Sequence, residues 1–130
     1  IYYPFGLQSV GIRFKNSLNE NSKMHASTED MLEAGHNGVV AWEKKSTIQP
    51  ILIEGEDDHI KTKERWQVLK KLLSQNNIEY KEIKSAEGGI LSKLVSLVYL
   101  LDYATIHLAI KFNIDPTPVK SIEFIKKNIS

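Results

Sequence analysis

Apolar, β-rich patches recur along the chain at residues 1–5, 50–54 and 78–84, each followed by turn residues and a helical pattern. After the first, Leu7, Val10, Phe14 and Leu18 step at three and four residues, which puts them on one helical stripe. Poor helix formers at Asn19, Asn21 and Ser22 predict the end of that helix. The second patch leads through Gly55 into an acidic cluster able to cap the next helix. There Thr62, Trp66, Leu69 and Leu73 share a face until Asn76-Asn77 stops the run. Gly88-Gly89 precedes a long, largely apolar helix to about Phe112, which needs cover on most sides. Asp115-Pro116 predicts the start of the last helix, with Asp as cap and Pro at the first helical position. Between Met24 and Trp42 the pattern predicts an irregular stretch to about Asp30 and a short helix over residues 33–43. Strands alternating with helices predict an α/β domain, a mainly parallel sheet with helices on both faces. The working surface of such a sheet is expected at the carboxyl ends of its strands.

The chain has 130 residues, a size for one domain, and its 42% apolar and 25% charged content excludes disordered and fibrous classes. A net charge of +1 argues against nucleic acid as a partner, because phosphate binding wants a basic excess. Without cysteine there is no disulfide, thiolate metal site or Cys nucleophile. No signal-peptide pattern stands at the start, so a cytoplasmic protein is expected. A chain that begins directly on strand-like residues is expected to be excised from something longer. The apolar run over residues 94–110 is interrupted by Ser96, Asp102, Thr105 and His107. A membrane span tolerates a central aspartate poorly, so burial in a soluble domain is expected, and no membrane.

Four features could carry chemistry. Glu20 lies between two amides at a helix end, about 120° from the middle of the first apolar stripe at roughly 100° per residue. It is either a solvated glutamate or a functional acid. His36, in Gly35-His36-Asn37-Gly38, is a capping group, a satisfied hydrogen-bonder or an acid–base with an unperturbed pKa of about 6.5. Lys126 stands seven residues after Val119, four after Ile122 and three before Ile129, inside the apolar stripe of the last helix. Such a lysine snorkels to the edge or meets an anion in a cleft. Gly88-Gly89 could offer amides to a phosphate, but two glycines without the fuller loop are a weak signal and an ordinary turn is the better reading. Asp102 and His107, in the most apolar helix, read as buried and paired. The four histidines show no zinc-like spacing, so no metal is expected.

Asn19-Glu20-Asn21-Ser22-Lys23, then Gly35-His36-Asn37, then Trp42 form a pattern, joined by Leu101-Asp102-Tyr103, Leu108-Ala109, Asp115-Pro116-Thr117-Pro118-Val119 and Ile125-Lys126. Together they resemble the C-terminal sugar-isomerase (SIS) domain of the bifunctional phosphoglucose/phosphomannose isomerases of archaea and some bacteria. The resemblance covers almost the whole chain. It implies a flavodoxin-like three-layer α/β/α domain that pairs with a similar N-terminal SIS domain. It also implies interconversion of glucose 6-phosphate or mannose 6-phosphate with fructose 6-phosphate, without a cofactor or metal. By this resemblance Glu20 corresponds to the base that moves a proton between C1 and C2 through a cis-enediol. His36 corresponds to the ring-opening acid–base, supplied across a homodimer, and Lys126 to the lysine near the ring oxygen and intermediate. Asn21, Lys23 and Asn37 fall beside them as substrate-binding positions. The family usually has Pro-Glu, a hydrophobic or aromatic residue and Asn before His-Asn; here Leu32-Glu33-Ala34-Gly35 stands there. Its Ser/Thr-rich phosphate loop and active-site arginine belong to the N-terminal domain. Half an enzyme is therefore expected, inactive alone, and a non-catalytic phosphosugar-binding or regulatory domain is the alternative. A third reading, a dimerisation module only, leaves the position of Lys126 without a purpose.

Overall fold

Successive strand residues point to opposite faces of a sheet, and that alternation builds two separate cores here. The computed structural model describes residues 1–129. Four short strands, β1 (Tyr2–Tyr3), β2 (Glu29–Asp30), β3 (Ile51–Glu54) and β4 (Lys81–Lys84), pair in parallel in the order β2-β1-β3-β4. Tyr2 and Leu52 face one layer, packing with Met31, Ala34, Trp42, Trp66, Leu69 and Leu73. Tyr3 and Ile53 face the other, packing with Leu7, Val10, Phe14, Leu18, Leu97 and Leu101. The first layer holds α2 (Met31–Ala34), a 3-10 helix (Gly38–Glu43) and α3 (Ile60–Gln75); the second holds α1 (Gln8–Asn21) and α4 (Ile90–Lys111). This is the expected flavodoxin-like three-layer arrangement.

The α1 stripe is buried as its spacing predicts, and Gly11 lets the helix lie close on β1: a Cβ there would fall 2.3 Å from Tyr3 Cδ1. In α3, Trp66, Leu69 and Leu73 are buried beneath the same face that Thr62 begins. Its cap is His59, whose Nδ1 accepts from Lys61 N at 3.2 Å, and not the acidic cluster. Asp58 instead accepts from Gly55 N and from the buried Trp66 Nε1. Helices α3 and α4 end in Asn77 and Asn113 with φ of 56° at each, the left-handed stop that asparagine tolerates. Near β4 the ammonium of Lys70 meets Glu54 and Glu82 at 2.7 and 2.8 Å. Burial pulls its pKa down, but the hydrogen bonds to those two carboxylates outweigh it and hold the lysine above its usual value.

Five further expectations change. Residues 29–30 form a strand, β2, where the local pattern predicts an irregular stretch, because pairing with β1 and not local propensity makes it. The helix expected over residues 33–43 is two pieces broken at Gly35-His36-Asn37. The last helix, α5 (Lys120–Asn128), begins four residues after Pro116, and the Asp115 side chain closes a turn by accepting from Thr117 N at 2.9 Å. Helix α4 is covered on one face only: Leu97, Leu101, Thr105 and Ala109 are buried, while Leu91, Val95, Tyr99, Tyr103 and Ile110 are exposed. By length and composition α4 could also cross a membrane, but its buried face packs on α1. His107, expected to be buried, is exposed and stacks beside Tyr103, with ring centroids 6.5 Å apart.

Asp102 pins α4 to α1. It accepts from Arg13 Nη2 at 2.6 Å and from Ser17 Oγ at 2.8 Å. The Arg13 hydrogen bond holds the Asp102 carboxyl below the usual aspartate range, opposed by burial and aided by Ser17. A carboxyl whose pKa falls on folding stabilises fully above its unfolded pKa of about 4, and that stability is lost as pH drops through the lower folded-state value. Asp102→Asn should cost about 1 kcal/mol at pH 7, allowing for screening at the exposed Arg13 end. Urea titrations of the two proteins should converge as the pH drops below the folded-state pKa. Equal urea midpoints at pH 7 would remove the clamp from the account.

Candidate functional site

In a parallel strand–helix–strand unit the helix runs back, so the end of α1 arrives at the amino ends of the strands. Two bonds fix this: the Ile1 amino group donates to Ser27 O at 2.9 Å and Glu29 N to Ile1 O at 2.9 Å. The segment 19–23 therefore lies at the edge of the sheet opposite to the one expected to work. Its polar side chains are mostly engaged. Asn19 Nδ2 donates to Met24 O, Asn21 Nδ2 to Thr105 Oγ1 and Ser22 Oγ to Thr105 O, at 2.7, 2.8 and 2.7 Å. The Lys23 ammonium donates to Glu20 O at 2.6 Å and to Pro118 O at 2.7 Å. Glu20 is exposed, and its charge makes a small addition to the raised pKa of Arg13, which the hydrogen bond to Asp102 dominates.

Helix α4 returns the chain to this same edge, and residues 115–122 close over the end of α1. Asn19, Glu20 and Lys23 on one side, with Pro118, Val119, Lys120, Ser121 and Ile122 on the other, line an open cleft of about 360 Å³. Asp115 at its rim is held below the usual aspartate range, first by the Thr117 hydrogen bonds and further by the charge of Lys23. In the sequence Pro118-Val119 stands out by motif and Ile122 by its place in an apolar stripe, but Lys120 and Ser121 carry no signal and nothing there pairs this wall with Glu20. Lys126 lies one turn beyond Ile122 on the same side of α5, roughly 6 Å along the axis. It is exposed, and of the stripe that it belongs to Val119 is half-buried while Ile122, Ile125 and Ile129 are increasingly exposed.

His36 is elsewhere. It follows β2 and α2 at the carboxyl side of the sheet and lines an apolar groove of about 560 Å³ with Met31, Leu32, Val39, Arg65 and Val68. The cap of α2 is Asp30, which accepts from Leu32 N at 2.8 Å, so the imidazole does not cap that helix. Asn37 begins the 3-10 helix through its backbone, accepting from Val40 N, with no cap bond from its side chain. Within one chain, then, Glu20 and the start of α5 meet, while His36 and Asn37 stand at the other end of the sheet in the other layer. The Gly88-Gly89 turn is also at the carboxyl side, and Gly88 needs its freedom there, with φ of 115°. No group of three or more metal-ligating side chains gathers among the described residues.

The family described as "Bacterial phospho-glucose isomerase C-terminal SIS domain" matches residues 1–129. The chain is 33% identical over 123 residues to a bifunctional phosphoglucose/phosphomannose isomerase of Aquifex aeolicus, covering 92% of this chain and 38% of that protein. It is 29% identical to the enzyme of the same name from Thermoplasma acidophilum, over 100% of this chain and 41% of that one. This chain thus spans about two fifths of the length of these relatives. The crystal structure of a glucose-6-phosphate isomerase like protein from Thermus thermophilus superposes with a TM-score of 0.65. It is 14% identical and covers 88% of this chain and 38% of that one, a likeness of fold.

Proposed function

The chain belongs to the bacterial phospho-glucose isomerase C-terminal SIS domain family, and from that premise we propose that it is the proton-transferring half of a sugar-phosphate isomerase. Its substrates would be glucose 6-phosphate or mannose 6-phosphate and fructose 6-phosphate. The observation that carries this reading is the cleft joining Glu20 to the start of α5. A carboxylate there can take the proton from C2 of the open-chain aldose and return it to C1, passing through a cis-enediol. Lys126, on the Ile122 side of α5, would stabilise negative charge on the enediol oxygens. His36 would open the sugar ring, and its distance in fold from Glu20 supports delivery from a second subunit of a homodimer. The relatives' greater length supports a further SIS domain that holds the phosphate, and a cytoplasmic setting suits such substrates.

The test is fructose 6-phosphate turnover by this chain alone and by its fusion to the part of the Aquifex aeolicus relative that it does not match. The fusion should isomerise and the chain alone should not, because orientation of the reacting carbons supplies much of an enzyme's rate and needs the phosphate held. Turnover by the chain alone would place the phosphate site within these residues and overturn the division of labour. The separation of Glu20 from His36 within one chain also favours a second reading, a phosphosugar-binding domain without turnover. A fusion that binds fructose 6-phosphate yet exchanges no C1 proton of it with solvent would establish that instead.

A further inference from the structure

Three α-helices of this fold, α1, α3 and α4, end at a residue with left-handed backbone; two use asparagine, and α1 uses Lys23 with φ of 54°. A long side chain there carries a steric cost that glycine escapes and asparagine lessens. What the lysine adds is its ammonium. Left-handed backbone at residue 23 folds the side chain back across the end of α1, and the ammonium bridges two carbonyls: Glu20 O at 2.6 Å and Pro118 O at 2.7 Å. Those two residues stand on opposite walls of the Glu20 cleft. No other side-chain hydrogen bond among the described residues ties residues 115–129 to the rest of the domain. Helix α5 has no buried residue, and nine residues are too few to hold a helix firmly in water without support.

We infer that Lys23 is a positioning residue: it fixes the width of the cleft by tying the turn that carries Glu20 to the segment that leads into Lys126. The inference rests on the proposed isomerase reading for its catalytic consequence, and on the two hydrogen bonds alone for its structural one. Two of the three ammonium donors of Lys23 serve this tie, and the third is left for the substrate-binding role that the resemblance implies.

The test has two arms. The chain has no cysteine, so Asn16→Cys and Lys127→Cys give one spin label on α1 and one on α5. A narrow distance distribution is expected with Lys23 and with Lys23→Arg, whose guanidinium can still reach both carbonyls. Lys23→Asn suits the left-handed backbone but lacks the reach. It should broaden the distribution while leaving the thermal midpoint of the domain equal or higher. The same narrow distribution in Lys23→Asn would overturn the tie. In the fusion, Lys23→Asn should lower kcat roughly ten- to a hundredfold, the scale of an ångström's misplacement, with KM within about twofold. Lys23→Arg should restore most of it. A raised KM with unchanged kcat would make Lys23 a substrate ligand and end the positioning role. If the parent fusion shows no turnover, it is the isomerase reading that fails, and the distance measurement still decides the tie.

Discussion

Glu20→Gln in the fusion is expected to bind fructose 6-phosphate as the parent does and to lose solvent exchange of the C1 proton of that substrate by a factor of roughly 10² to 10⁴. The amide has nearly the shape of the carboxylate, so the hydrogen bonds at Asn19, Asn21 and Lys23 that fix this helix end are left in place. What disappears is a group able to accept a proton from carbon. Exchange in deuterated water, followed by NMR on the substrate, separates the proton transfer from ring opening and product release. Exchange near the parental rate would sink the assignment of Glu20. A loss of binding equal to the loss of exchange would move Glu20 from proton transfer to substrate holding.

The layers of this fold were legible in the sequence wherever burial imposed a period. The α1 stripe from Leu7 to Leu18 and the α3 face from Trp66 to Leu73 stand where their spacing puts them. Strand β2 was not legible, because Glu29 and Asp30 have no apolar alternation and become a strand only by pairing with Tyr2 and Tyr3. The start of α5 was misplaced for a different reason. Asp-Pro signals a helix start and a turn equally well, and Thr117 decides for the turn by donating its backbone N–H to Asp115. The candidate site shows the same division. Glu20, His36 and Lys126 stand out by motif and spacing, but the general rule for open α/β sheets points to the carboxyl edge, and the Glu20 cleft lies at the amino edge. The rule concerns loops that follow strands, whereas this cleft is made of the last turn of α1 with Lys23 and of the segment that follows α4. Lys126 stands out as an anomaly inside an apolar stripe; it is in the stripe, but this chain leaves the stripe exposed.

That geometry sets the terms for His36. The imidazole stands across the sheet from Glu20, in the layer with α2 and α3, while Glu20 ends a helix of the opposite layer. A side-chain rotation cannot close a gap that runs through a sheet and both its ends, so one chain cannot bring the two groups to one sugar. Two chains can, provided that each offers its His36 groove to the other's cleft, which is an arrangement a twofold dimer satisfies twice.

Glu20→Gln and His36→Ala, each nearly inactive alone in the fusion, are therefore expected to recover activity when the two are co-expressed in one cell. In the proposed twofold arrangement a mixed dimer would contain one site with Glu20 from the His36→Ala chain and His36 from the Glu20→Gln chain, and a second site lacking both. With random pairing half the dimers are mixed, so about a quarter of all sites should be intact, far above the sum of the two variants. Cyclic substrate should reveal the rescue most clearly, because in the proposed mechanism ring opening is the step that uses His36, whereas the open-chain fraction bypasses it. Activity that stays at the sum of the parents would show that Glu20 and His36 serve the same chain's site or that His36 has no part in the reaction. His36→Ala alone distinguishes these two: equal loss on cyclic and open-chain substrate would make the histidine a structural element of the loop at Gly35-His36-Asn37, with the proton chemistry left to Glu20.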